Sequence, residues 1–291
     1  MDGDRHGAPR HLSGLAWLAA LAVRLGRRAG PSPATKNAGS GTVWLVGAGP
    51  GAADLLTVRA QRVLQEADVI VYDRLVSDAV IEMGRGDAER IPVGKAKGDH
   101  SVSQAQINAL IVRLAREGKM VARLKSGDPL VLGRAGEEIA ALREAGLRYE
   151  IVPGVSAALA AAADTATPVT LRNVSTGLVL ATAHGADDGE LRHWVALAGA
   201  GMSLALYMGK SIAAETAGRL LAQGAPADLP VGIVVNAGRP DRHAVRLTLG
   251  VMAQAAPELP EGPAVLLVGA AIAHGDWADA AALASGAFRA A

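Results

Sequence analysis

The sequence predicts an α/β fold built as two successive α/β domains. Two observations carry that expectation. Short apolar runs rich in β-branched residues alternate with amphipathic stretches of helical period, and the alternation starts afresh after Pro153-Gly154. With 291 residues and 50% hydrophobic content, the chain is long enough to bury two cores. In the first series, strands are expected at 43–46, 69–72, 91–93, 121–124 and 149–152, with helices at 57–66, 103–117 and 137–145. Ser101 or Ser103 suits an N-cap, and Gly118 and Gly146 suit helix stops. The second series places strands at 178–182, 203–207, 232–235, 244–247 and 264–268, and helices at 211–223 and around Val251. The domains are expected to span 42–154 and 155–275, meeting near 154–170, with no internal repeat. The tail from 276 to 291 reads as helical and dispensable.

Residues 1–41 stand apart as an extension and linker. An apolar run at 12–25, broken by Gly14 and Arg24, is too short and interrupted to span a membrane. A signal peptide would have only Ala20-Leu21-Ala22 for cleavage, and Arg24, Arg27 and Arg28 directly after the run argue against export. The favoured reading is a short amphipathic helix followed by a flexible Pro/Gly/Ser linker, in a cytoplasmic protein without a membrane anchor.

Composition excludes several chemistries. Lys and Arg total 29 against 28 Asp and Glu, so no global field draws the chain to nucleic acid. Aromatic residues at 3% are too few for base-stacking platforms. Zero cysteines exclude disulfides, thiolate nucleophiles and Cys-bound metals. His184, His193 and His243 are scattered, and no metal site is expected.

The most informative stretch is 123–138, Arg-Leu-Lys-Ser-Gly-Asp-Pro-Leu-Val-Leu-Gly-Arg-Ala-Gly-Glu-Glu. An apolar strand runs into a loop of little bulk holding one carboxylate and one arginine, then into a helix opening with two carboxylates. Such a loop at a strand's carboxyl end reads either as a binding rim or as an ordinary tight turn. Gly47-Ala48-Gly49-Pro50-Gly51-Ala52 invites a dinucleotide reading, with Asp73 as the acidic residue at the next strand's end. Pro50, Gly51 and Asp54-Leu-Leu-Thr57 postpone the helix, however. Its amino end leaves the glycines, and no phosphate cradle forms.

Taken together these segments resemble a known family. Val-Gly-Ala-Gly-Pro-Gly (46–51), Asp-Leu-Leu-Thr (54–57), Tyr-Asp-Arg-Leu-Val (72–76) and Val-Gly-Lys (93–95) follow the order and spacing of uroporphyrinogen-III C-methyltransferases. So do Arg-Leu-Lys-Ser-Gly-Asp-Pro (123–129), Gly-Arg-Ala-Gly-Glu-Glu (133–138), Val-Pro-Gly-Val-Ser-Ala (152–157) and Tyr-Met-Gly (207–209). The resemblance covers roughly 42–270. It implies a tetrapyrrole methylase-like fold of two α/β/α domains and a homodimer. S-adenosyl-L-methionine is expected in the cleft between domains, with S-adenosyl-L-homocysteine as product. Two methyl transfers to C2 and C7 of uroporphyrinogen III would give precorrin-2 for sirohaem, cobalamin or haem d1.

By the same resemblance, cofactor contacts fall on Pro50, Ser126, Gly127, Asp128, Val131, Ser156, Ala157, Met208, Ala237 and Ala264. Asp128 can pair with an ammonium, and Met208 either lies against the adenine or fills core. Asp73 matches a proton acceptor and Lys95 a proton donor; the plainer readings are a turn cap and a surface lysine. Arg134 and Glu137 match the family's functional arginine and glutamate. Arg134 suits carboxylate binding, since guanidinium stays protonated, whereas Glu137 can simply favour a helix amino end. Several residues depart from the family's pattern: Ser126 for Gly, where the cofactor is approached closely, Leu130 and Leu132 for aromatics, and Ala135 for Gly. Thr170-Leu171-Arg172-Asn173 replaces Thr-His-Arg-Asp, and Asn236-Ala237-Gly238 replaces Asn-Gly-Thr. They leave open a methyltransferase for a later corrinoid precursor, or a non-catalytic ligand-binding relative.

Overall fold

A computed structural model of the chain describes residues 39–94, 102–255 and 257–277. The expectations for the N-terminal extension, for Ser101, for Lys95 and for the chain beyond Trp277 lie outside these residues. The first sheet is β1 (Thr42–Gly47), β2 (Val69–Tyr72), β3 (Glu89–Pro92), β4 (Val121–Lys125) and β5 (Arg148–Val152). Its order is β3-β2-β4-β1-β5, with every pair parallel. The helices are α1 (Val58–Glu66), α2 (Asp78–Ile81), α3 (Gln104–Arg116) and α4 (Ala135–Glu144).

Alternation along the strands builds the layers. Val43 and Leu45 of β1 pack with Ile107, Ile111 and Leu114 of α3 and Ile139 and Leu142 of α4. Val46 packs on the opposite face with Ala60, Val63 and Leu64 of α1 and Val80 and Ile81 of α2. Strands buried on both faces are the rule for parallel sheets. Helix ends follow the sequence. Ser103 and Gln106 form a reciprocal capping box on α3, and Thr57 Oγ1 caps α1 by accepting from the Ala60 N–H at 3.2 Å. The glycine turn therefore precedes the helix, as its residues require. Gly118 and Gly146, just past α3 and α4, take positive φ of 82° and 65°.

The second lobe holds β6 (Gly177–Thr182), β7 (Met202–Tyr207), β8 (Pro230–Val235), β9 (His243–Thr248) and β10 (Ala264–Val268), in the order β6-β7-β10-β8-β9. Only β6 and β7 are parallel; the other pairs are antiparallel. Its helices are α5 (Ala157–Asp164), α6 (Asp188–Gly199), α7 (Ala213–Ala222) and α8 (Leu249–Gln254). Three helices were not anticipated. α2 has a single turn, α5 is an alanine run without a polar face, and α6 opens on Asp188-Gly189, which reads as a loop. In α6 the Asp187–Glu190 capping box overrides the glycine.

The tail expectation is corrected at its first residues. Trp277 is 5% exposed, its ring fills the space beside Gly232, and its indole N–H donates to the Ile272 carbonyl at 3.0 Å. Trp277→Ala should cost about 3 kcal/mol or more, from lost burial and the cavity left behind. Urea unfolding checks this; an unchanged midpoint would return residue 277 to the dispensable tail.

Candidate active site

The site forms where β1 and β4 end side by side. From β1 the chain crosses by α1, on one face, to β2; from β4 it crosses by α4, on the other face, to β5. Departure to opposite faces opens a crevice at the carboxyl ends of the strands. Across its floor Gly49 and Gly127 exchange backbone hydrogen bonds, Gly127 N to Gly49 O at 2.7 Å and Gly49 N to Gly127 O at 3.2 Å. Gly47 and Gly154 meet beside them so closely that a Cβ on Gly47 would stand 2.5 Å from the Gly154 nitrogen and 2.8 Å from the Gly127 carbonyl oxygen. Asp128 ties this junction: its Oδ1 accepts from Leu130 N at 2.9 Å and its Oδ2 from Gly154 N at 3.0 Å.

A cavity of about 470 Å³ opens above this floor and is closed by the second lobe. That volume lies in the range of roughly 300–1,000 Å³ usual for small-molecule sites. Ser126, Gly127, Asp128 and Val131 line it from the turn after β4, and Pro50 from the turn after β1. Ser156 and Ala157 line it at the amino end of α5; Met208, Ala237 and Ala264 come from the second lobe. Asp73 and Arg134 line it too, whereas Glu137 does not. Lys95 is outside the described residues. Strain gathers here: Leu132, Arg134 and Met208, all on the wall, have φ of 54°, 55° and 55°, and Asn236 beside Ala237 has 53°. Side chains hold that conformation only where their surroundings enforce it. Asn236 is fixed by its amide, which donates to Asp241 at 2.8 Å and to the Glu261 carbonyl at 3.2 Å. The Tyr207 hydroxyl, unexpected from the sequence, joins Ser156 Oγ and accepts from Ala158 N at 3.1 Å.

The cavity's other wall rests on a buried charge network that sequence reasoning missed. Arg123, 1% exposed, donates from one terminal nitrogen to Asp73 at 2.6 Å and from Nε to Glu138 Oε1 at 3.1 Å. Lys125 Nζ donates to the same Glu138 oxygen at 2.9 Å and stands 3.9 Å from Asp73 Oδ2. Glu138 is wholly buried, and its Oε2 has no hydrogen-bond partner among the described residues. The available signal was Arg123 and Lys125 at alternate positions of a central strand, hence on one face, where isolated charge is prohibitive. Burial pushes the Lys125 ammonium below its ordinary 10.5, with the Arg123 charge adding to the shift and Glu138 and Asp73 opposing it. Arg134 and Glu137 instead form an exposed forked pair, at 2.7 and 2.9 Å. The Arg134 hydrogen bond holds the Glu137 carboxyl below its ordinary value; at such exposure the pair adds little stability.

Fold and cleft together define a class: a two-lobed α/β protein whose interlobe cavity is floored by close-packed backbone turns and walled by charge. The chain belongs to the family described as Tetrapyrrole (Corrin/Porphyrin) Methylases, which matches residues 42–253. It is similar to the uroporphyrinogen-III C-methyltransferase of Paracoccus denitrificans, 48% identical over 234 residues, covering 80% of this chain and 82% of the relative. It is 44% identical over 229 residues to siroheme synthase 1 of Cronobacter sakazakii, covering 79% of this chain; it spans about half of that protein's length (48%). Among solved structures it resembles the uroporphyrin-III C-methyl transferase of Thermus thermophilus complexed with S-adenyl homocysteine. The TM-score is 0.70 at 34% identity, covering 80% of this chain and all (100%) of that one.

In the folded chain Lys125 releases its proton more readily than in the unfolded chain, which therefore binds more protons between the lowered value and 10.5. Stability should rise with pH across that window, and fall back as pH drops through the folded value. Urea unfolding at neutral and alkaline pH should show wild type gaining relative to Lys125→Met; parallel pH dependences would contradict it.

Proposed function

We propose that this chain transfers methyl groups from S-adenosylmethionine to C2 and C7 of uroporphyrinogen III, giving precorrin-2. The observation that carries the reading is the interlobe cavity itself, where Pro50, the turn at 126–128, Ser156-Ala157, Met208 and Ala237 converge. Its residues fit the donor. Gly127 takes a positive φ of 71°, which favours glycine, and lines the cavity with bare backbone on which a ligand can lie. The Met208 thioether, on a residue 54% exposed, projects a polarizable surface for a purine face. With its two oxygens already on backbone N–H groups, Asp128 acts first by shaping the turn, and retains lone pairs for an ammonium. The 48% identical relative favours uroporphyrinogen III over a later corrinoid. A homodimer in the cytoplasm belongs to the same proposal.

The donor supplies an activated methyl on a sulfonium, and the pyrrole carbon supplies the electron pair. The protein's part is positioning and charge. Arg134 and Arg74 on the wall offer guanidinium forks to the substrate's carboxylates. Once the carbon–carbon bond forms and the carbon–sulfur bond breaks, the positive ring gives up a proton. Asp73 takes it in this reading, supported by a side chain 33% exposed that lines the cavity, with one oxygen anchored on Arg123. Leu132, 43% exposed, adds an apolar surface to the cavity wall beside these charges.

Anaerobic incubation with uroporphyrinogen III and S-adenosylmethionine should yield the dimethylated product, followed by absorption. Donor binding without product would contradict the catalytic reading. Asp73→Asn should lower kcat about a hundredfold while leaving S-adenosylhomocysteine affinity near wild type. Steady-state rates and calorimetry check both, and an undiminished kcat would remove Asp73 from proton transfer.

A further inference from the structure

We infer that Arg239 is a positioning residue that sets the width of the methyl-donor end of the cleft, by tying two first-lobe turns to the second lobe. The inference rests on the donor-binding reading above. Arg239 lies in the loop after β8, beyond Asn236-Ala237-Gly238. Its Nε donates to the Pro50 carbonyl at 3.2 Å and a terminal nitrogen donates to the Leu75 carbonyl at 2.8 Å.

The two acceptors have a particular place. Pro50 follows β1 and Leu75 follows β2, the two neighbours of β4 in the sheet. They therefore frame the turn after β4 that presents Ser126, Gly127 and Asp128, and both line the cavity. One guanidinium from the opposite lobe holds both sides of that frame. No ion pair to Arg239 forms among the described residues, so the charge is directed at carbonyl oxygens alone. A planar fork suits two acceptors at once, which a single ammonium cannot reproduce.

Neighbouring contacts fix the fork. Ala52 N donates to the Gly238 carbonyl at 3.1 Å, and Gly238 N donates to Asp164 Oδ2 at 2.6 Å on α5. Gly51, at φ 149°, leaves the space that the Arg239 side chain fills; a Cβ there would fall on the guanidinium arm. At Gly238 a Cβ would stand 2.6 Å from the Pro50 ring. The loop carrying Ala237 thus meets the Pro50 turn without slack, and Arg239 extends that contact to the second turn at Leu75. Arg239 itself is placed to touch neither reacting atom. Its effect passes through Pro50, Leu75 and Ala237.

The test is calorimetric titration of wild type, Arg239→Ala and Arg239→Lys with S-adenosylhomocysteine, combined with initial rates. Arg239→Ala should raise the dissociation constant and the donor KM about tenfold, the scale of two lost hydrogen bonds. Its kcat at saturating donor should stay within about twofold, and Arg239→Lys should fall between the two, because one ammonium reaches one carbonyl. An unchanged dissociation constant in Arg239→Ala overturns the assignment. So does a loss of fold by circular dichroism, or a fall in kcat with donor affinity intact, since either gives Arg239 another role. Wild type that fails to bind S-adenosylhomocysteine defeats the donor-binding reading itself.

Discussion

The close backbone contact between Gly47, Gly127 and Gly154 is the constraint on which the cleft depends. Three chain segments, ending β1, β4 and β5, pass where no side chain fits, and hydrogen bonds between Gly49 and Gly127 lock two of them. Asp128 adds the third by accepting from Gly154 N. A parallel sheet opens a crevice at a reversal of strand order in any case. Here the crevice receives a floor of close-packed backbone, with Ser126 and Ser156 lining the cavity beside it.

The opposite wall is made by different means. Arg123 and Lys125 project from a central strand and are almost wholly buried, and Glu138 and Asp73 neutralise them. Removing one member would strand a buried charge, at a cost of about 3–5 kcal/mol. The network therefore fixes Asp73 at the cavity edge more firmly than a lone surface carboxylate. One side of the cleft is thus shaped by the absence of side chains, and the other by charges that can exist only together.

Much of this was legible in the chain. β-Branched runs gave the strands to within about two residues, and caps such as Thr57 and Ser103 gave the helix starts, because both signals are local. The small-residue loop at 126–128 signalled close backbone approach, and Gly127 exchanges hydrogen bonds with Gly49 there. The alanine helix α5 was hidden because its exposed positions, Leu159 and Ala163, are apolar like its buried ones, so it carries no amphipathic stripe. The partnership of Asp73, Arg123, Lys125 and Glu138 was hidden because it joins β2, β4 and α4, and no sequence spacing encodes which cation meets which carboxylate. Trp277 was misjudged because its partner, the vacancy at Gly232, lies far away in sequence. The interlobe reach of Arg239 was invisible for the same reason.

Membership of the tetrapyrrole methylase family accounts for the frame, and this chain's own residues line and span it: Ser126 beside the floor, Leu132 on the wall, Arg239 reaching across from the second lobe. The central claim is a single interlobe chamber for the methyl donor. A crystal structure with S-adenosylhomocysteine tests it most directly. The account places the nucleoside product between the turn at 126–128 and Met208 and Ala237, touching both lobes. Product bound outside that chamber, or held by one lobe alone, would contradict it.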